Sequence, residues 1–187
     1  QTVSRIRVID KPDDEEYDII LVIVQMVHVH DVLPVLSQFK NAKSFLFIGN
    51  NVNGFENTVT HLGQKNILAG FITVGGKRKD HTVLVADADP KKPGKIAPFV
   101  LGKVNVVENH EFNRIKQLFM QENIKVQEEK DMDGWLKTHA GMILGLASAS
   151  YVKEGNLKLV AEDEEVLKQI VDALRESMNV LKSLGVT

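Results

Sequence analysis

Lys137 is the side chain in this sequence best placed for acid–base chemistry. It lies in Gly134-Trp135-Leu136-Lys137-Thr138-His139-Ala140-Gly141, which follows the polar stretch Gln127–Asp133 and opens an apolar helix. An ammonium can give up a proton and stabilise negative charge developing on an oxygen. The same spacing equally suits a solvated helix lysine, the common surface role of this residue. Asn50 is the second candidate. It follows the apolar run Ser44–Ile48, and ligands of open α/β sheets gather at the carboxyl ends of strands. Its amide could bond a carbonyl and a ribose, but Asn50, Asn51 and Asn53 around Gly54 could equally make a turn. Gly75-Gly76, after the apolar run Ile67–Val74, permits close approach of a ligand or simply turns the chain.

Other polar groups point to less. His28 and His30 stand two apart at a strand end, with no further ligand at suitable spacing, so no metal site is expected. His139 lies two residues past Lys137, about 200° round a helix, so the two should not share a face. Lys77-Arg78-Lys79 reads as a solvated turn between strands, with a phosphate contact as the minority alternative. There are no cysteines, which excludes disulfides, thiol catalysis and thiolate metal sites and is compatible with a reducing cytoplasm. A net charge of −2 and a pI near 6.3 give no basic excess for nucleic acid. No apolar run is long enough for a membrane span.

These residues need a frame to hold them. In the first half short apolar runs alternate with amphipathic segments. Arg5–Ile9 is a possible strand, and Asp18–Val24 is the clearest one, continuous and β-branched as expected when both faces are covered. Val29–Phe39 has helical spacing, Ser44–Ile48 is a buried strand, Phe55–Leu62 a short helix stopped by Gly63, and Ile67–Val74 a third strand. Thr82–Ala86 and Lys95–Leu101, joined by the turn-rich loop Asp87–Gly94, suggest an antiparallel edge pair. Glu111–Glu122 is amphipathic and Ile124–Gln127 a short strand. Then come two long helices, Gly134–Val152, rich in Ala, Gly and Ser, and Asp163–Leu184, with an acidic first turn and an apolar stripe. The fold class is therefore α/β followed by all-α, with the break near Glu128–Asp133. The expected domains are residues 1–130 and 131–187.

The order of these segments resembles the ketopantoate reductases over nearly the whole chain. Tyr17-Asp18-Ile19-Ile20-Leu21-Val22-Ile23-Val24 is similar to that family's Tyr-Asp strand. Ile48-Gly49-Asn50-Asn51 is similar to its Asn-containing turn. Leu68-Ala69-Gly70 through Gly75-Gly76 is similar to the strand lying along the cofactor, and Trp135-Leu136-Lys137 to its Trp-x-Lys. The resemblance implies a Rossmann-like, mostly parallel sheet and a helical C-terminal domain. It implies an NADP-dependent reduction of a 2-keto acid, with Lys137 as catalytic proton donor. Asn50 would contact cofactor and substrate, and Gly76 and Gln25 would lie at the cofactor.

The sequence departs from that pattern in ways that bear on function. The family's first glycine-rich unit, Gly-x-Gly-x-x-Gly, is missing from these residues, so the Rossmann-like domain is expected to be incomplete and the helical domain to be only its start. Gln25 stands where the family usually has lysine. Gly141 and Gly145 stand where it has substrate-binding asparagines. Ketopantoate itself is therefore not the expected substrate. The alternative is a non-catalytic binding or dimerisation module that kept the scaffold. Helices 134–152 and 163–184 carry more apolar surface than they can bury on each other, which suggests a homodimer through the helical domain. Partners are expected to be a small keto acid rather than nucleic acid or membrane.

Overall fold

A computed structural model describes residues 7–63, 65–85, 98–122 and 124–186. The chain divides into two compact units, one of residues 1–49 and 55–128 and the other of residues 50–54 and 129–187.

The first unit is built on a five-stranded sheet. Three strands, β1 (Ile20–Val22), β2 (Ser44–Ile48) and β3 (Asn66–Phe71), run parallel, in the register Ile20↔Phe45 and Phe45↔Ile67. A short 3-10 turn, Met26–His28, leads into α1 (Val29–Leu36) between β1 and β2, and α2 (Glu56–Leu62) lies between β2 and β3. These crossovers are what parallel pairing requires. Every residue of β2 is buried, as a run of apolar residues in the middle of a covered sheet should be. Its side chains alternate between faces. Leu46 and Ile48 join Leu68, Phe99, Leu101, Phe112 and Ile115 in one core, while Phe47 meets Phe55 edge-on at 6.4 Å.

Beyond β3 the chain differs from the sequence expectation. β3 ends at Phe71 rather than at Val74, and β4 (Gly76–Lys79) and β5 (Thr82–Val85) form their own two-stranded hairpin. Lys77-Arg78-Lys79 is thus strand, not turn. The turn is Asp80-His81, between the paired Lys79 and Thr82, with Asp80 at φ 52°. Aspartate tolerates that conformation. The expected pairing of Thr82–Ala86 with Lys95–Leu101 is corrected accordingly. β6 (Phe99–Lys103) instead lies antiparallel to β3, with Leu68↔Lys103 and Phe71↔Val100. The pairing needs glycine at position 70, where a Cβ would run into the Phe99 ring. The expected loop Asp87–Gly94 and the first residues of both Arg5–Ile9 and Lys95–Leu101 lie outside the described residues, and residues 7–9 are not strand.

α3 (Asn109–Gln121) packs Phe112 and Ile115 onto the sheet, and β7 (Val126–Glu129) completes the order β1-β2-β3-β6-β7. Charges tie the edge together. Asp18 pairs with Lys43 at 2.9 Å and with Arg114 at 3.4 Å, and Arg114 also holds Glu111 at 2.6 Å. β1 is the terminal strand of the sheet, and Leu21 and the following Ile23 are 46% and 65% exposed, unlike the doubly covered strand expected.

The second unit is helical. α4 (Met132–Val152) and α6 (Glu164–Ser183) pack along each other, with the short α5 (Leu157–Ala161), absent from the sequence reading, against both. Ala149, Val160, Val166 and Ile170 form its core. Side-chain caps start the helices. Asp131 accepts from the Gly134 N–H, Asn156 from Lys158 and Leu159, and Asp163 from Glu165 and Val166. Each cap satisfies donors that the first helical turn leaves unpaired.

Candidate functional site

The parallel strands β1, β2 and β3 deliver their carboxyl ends to one edge of the sheet. Gln25, Gly49 and the Gly75-Gly76 pair follow those ends. Gln25 is exposed; its backbone caps the 3-10 turn, its carbonyl accepting the His28 N–H at 2.8 Å. Gly49 turns the chain at φ 154° and donates its N–H to the Gly70 carbonyl at 3.1 Å. Gly76 does not end β3. It opens β4, opposite Val85, and a Cβ there would meet the Leu84 carbonyl at 3.3 Å. Hairpin packing thus accounts for its lack of a side chain.

The turn after Gly49 belongs to the helical unit. Asn51 is buried and shapes it, its amide donating to the Gly54 carbonyl at 2.9 Å and its oxygen accepting the Asn53 N–H at 3.2 Å. The turn reading of this asparagine cluster thus falls on Asn51. Asn51 makes the turn, and Asn50 is exposed with its amide unpartnered among the described residues.

Lys137 lies in the same unit, one turn into α4. Its side chain is only 26% exposed, and Nζ donates to Asp133 Oδ2 at 2.5 Å. Asp133 was not singled out from the sequence. Its i, i+4 spacing before a lysine was the available signal. Trp135 and His139 stack as parallel rings, 5.2 Å apart, and burial holds the His139 imidazole below its usual range. Thus Asn50 and Lys137 fall in one compact unit, while Gln25 and Gly76 fall in the other.

Gly141 and Gly145 are buried one and two turns after Lys137. A Cβ on Gly141 would meet Leu181 Cδ1 at 3.2 Å and Ser177 Cβ at 3.3 Å; one on Gly145 would meet Ala173 Cβ at 3.3 Å. The places expected to carry amides are taken up by the packing of α6. No group of three metal-ligating side chains occurs among the described residues. His28 pairs with Asp31 at 3.3 Å and the His30 and His61 rings lie 6.1 Å apart, with no third ligand among the described residues.

No family model matches the sequence, and no curated protein is similar to it at a significant level. Solved structures are similar. A dimeric ketopantoate reductase from Staphylococcus aureus superposes with a TM-score of 0.68 at 14% identity, over 94% of this chain and 60% of that one. The fold is that of the ketopantoate reductases. One from Ralstonia eutropha JMP134 matches with a TM-score of 0.66 at 18% identity, over 91% of this chain and 53% of its own. A D-mandelate dehydrogenase, solved with NADH and anilino(oxo)acetate, matches with a TM-score of 0.66 at 12% identity, over 92% of this chain and 54% of its own. The chain thus spans little more than half the length of these relatives. The Rossmann-like, mostly parallel sheet followed by a helical region is the same scaffold. No described helix is long and apolar enough to cross a membrane.

Proposed function

We propose that this chain is part of an NADP-dependent reductase of a 2-keto acid other than ketopantoate, built on the ketopantoate reductase scaffold. One observation carries the reading. Lys137, a half-buried ammonium held by a carboxylate, belongs to the same compact unit as the turn that leaves the Asn50 amide free. When bound, a nicotinamide dinucleotide supplies the hydride. The ketone oxygen then accumulates negative charge, and Lys137 stabilises it by donating a hydrogen bond. As the N–H bond of Lys137 breaks, an O–H bond forms on the product alcohol and the lysine is left as the neutral amine. Asn50 has an amide N–H to hold a carbonyl or ribose oxygen in place.

On this reading Gln25 and Asn50, each exposed and each following a strand of the sheet, would offer amides to the cofactor; Gly76 would do so only through its backbone, since the hairpin already accounts for its lack of a side chain. No Gly-x-Gly-x-x-Gly run occurs in these residues to cradle the pyrophosphate. Exclusion of ketopantoate is supported by Gly141 and Gly145, which present no amide. The neighbours' dimeric member and the exposed apolar side chains of α4, among them Leu144 and Val152, support a homodimer through the helical unit. A reducing cytoplasm fits the cysteine-free sequence.

The rival reading is a non-catalytic binding or dimerisation module. It is favoured by the helix packing at Gly141 and Gly145 and by the lack of a glycine-rich phosphate turn. An equilibrium titration of NADPH fluorescence separates the two. Saturable micromolar binding, weakened by Asn50→Ala, supports the reductase. No quenching at any protein concentration leaves the module.

A further inference from the structure

Lysine is a point charge on a flexible four-carbon stem, so a lysine that meets a ligand oxygen reproducibly needs something to hold it. Three acidic side chains surround the start of α4, and two are engaged with the backbone. Glu129 Oε1 accepts the Asp131 N–H at 3.0 Å, and Asp131 Oδ1 accepts the Gly134 N–H at 2.9 Å. Asp133 is left for Lys137. Its Oδ2 takes the ammonium at 2.5 Å, and its Oδ1 is enclosed with no hydrogen-bond partner among the described residues. Among the described residues, the side-chain hydrogen bonding of this carboxylate therefore goes to Lys137 alone. The pair differs from an ordinary solvated one on the same unit. Lys158 and Glu162 share the i, i+4 spacing but stand 3.7 Å apart, 81% and 57% exposed, against 26% for Lys137 and 42% for Asp133. Exposed pairs of that loose kind constrain little.

We propose that Asp133 is a positioning residue, fixing the Lys137 ammonium so that its two remaining N–H donors meet the oxygens of a 2-keto acid anion. The proposal rests on the reductase reading of Lys137. Ammonium carries three donors and no acceptor, so one bond to Asp133 anchors it without exhausting it. A carboxylate that merely competed for the ammonium would have the opposite effect on an anionic ligand, since its removal would strengthen binding. The sign of the effect decides between them.

The side-chain ammonium signal of Lys137 is followed by proton–nitrogen NMR in lysine-labelled protein, assigned with Lys137→Arg. Oxamate, an anionic 2-keto acid analogue, is titrated in with NADPH present at millimolar levels. In the native protein oxamate should shift the Lys137 signal. In Asp133→Ala the half-saturating oxamate concentration should rise about 10-fold, the scale of one charge-assisted hydrogen bond. Asp133→Asn, whose amide oxygen can accept the same bond, should recover most of the loss. Unchanged or tighter oxamate binding in Asp133→Ala overturns the positioning role while leaving Lys137 as a binding residue. A native Lys137 signal untouched by oxamate and NADPH overturns the reductase reading, and the proposal with it.

Discussion

Gly141→Asn restores the side chain that the family resemblance expects four residues after the lysine. It should unfold the helical unit more easily rather than restore a binding amide. Gly141 is buried on α4, and a Cβ there would already lie 3.2 Å from Leu181 Cδ1, 3.3 Å from Ser177 Cβ and 3.6 Å from Met178 Cε. The amide beyond that Cβ has to enter α6. Forcing extra atoms into a packed interface costs about 1–3 kcal/mol. An enclosed amide without a partner adds about 1–3 kcal/mol. Leaving glycine in a helix returns only about 0.3 kcal/mol when the replacement is asparagine. The net loss is about 2–6 kcal/mol. For a chain of this size that lowers the melting midpoint by roughly 4–24 °C.

Gly141→Ala is the control. It adds the Cβ alone, against a Leu181 methyl that can rotate away and a Ser177 Cβ that needs only a few tenths of an ångström from α6, and gains up to about 1 kcal/mol in helix propensity. It should stay within about 1 kcal/mol of the native protein. Urea unfolding followed by circular dichroism reads both, with an unchanged slope showing that stability alone moved. An asparagine variant as stable as the native protein would refute the reasoning. It would mean that α6 leaves room at Gly141, and that helix packing does not explain the missing amide.

Lys137→Ala should lower turnover of an accepted keto acid about 10²–10⁴-fold, the usual worth of a general acid; steady-state NADPH oxidation with an unchanged rate would remove Lys137 from the mechanism. Leu144 and Val152 are 63% and 69% exposed on α4, so Leu144→Glu should convert a dimer to monomer in sedimentation velocity, and a native monomer at high concentration would refute the proposed interface. Burial holds His139 below its ordinary value, so the unfolded chain binds that proton first. The stability it contributes is complete above about pH 6.5 and is lost as pH falls through the lowered folded value. His139→Gln should flatten urea midpoints measured across that window. A second loss, below about pH 4, is expected from carboxylates held low by their partners, Asp18 by Lys43 and Glu111 by Arg114. Asp18→Asn should weaken that acid limb, and an unaltered limb would show the ion cluster to be inert.

The sheet was legible where composition and period agree. Ser44–Ile48 is a short apolar run between polar residues, and the strand has those bounds. α6 announced itself by its acidic first turn and stripe, and Asp163 caps it. Errors gathered where two local signals competed. Gly75-Gly76 looked like the chain reversal, yet the reversal is at Asp80-His81, where an aspartate takes the positive φ unaided by glycine. That misplacement also assigned β5 the wrong partner. α5 was missed because Leu157–Ala161 is too short to show a period. Its Asn156 cap, just after Gly155 at φ 80°, was the available sign.

At the candidate site the spacing of Asp133 and Lys137 was visible, but the burial of Lys137 and of Asp133 Oδ1, which distinguishes the pair from Lys158 and Glu162, was not. Burial depends on which elements cover a helix, and a local pattern holds no record of that. The glycines after Lys137 make the same point with a consequence. The sequence shows that two amides are lacking. The structure shows what uses the space, since Leu181, Ser177 and Ala173 come within 3.3 Å of where the first side-chain atoms would be. The glycines and the close approach of α6 therefore go together. A binding amide cannot be regained at Gly141 by one substitution. Leu181 and Ser177 must shrink or shift with it, so any recovery of ketopantoate-type recognition here should require paired changes on α4 and α6.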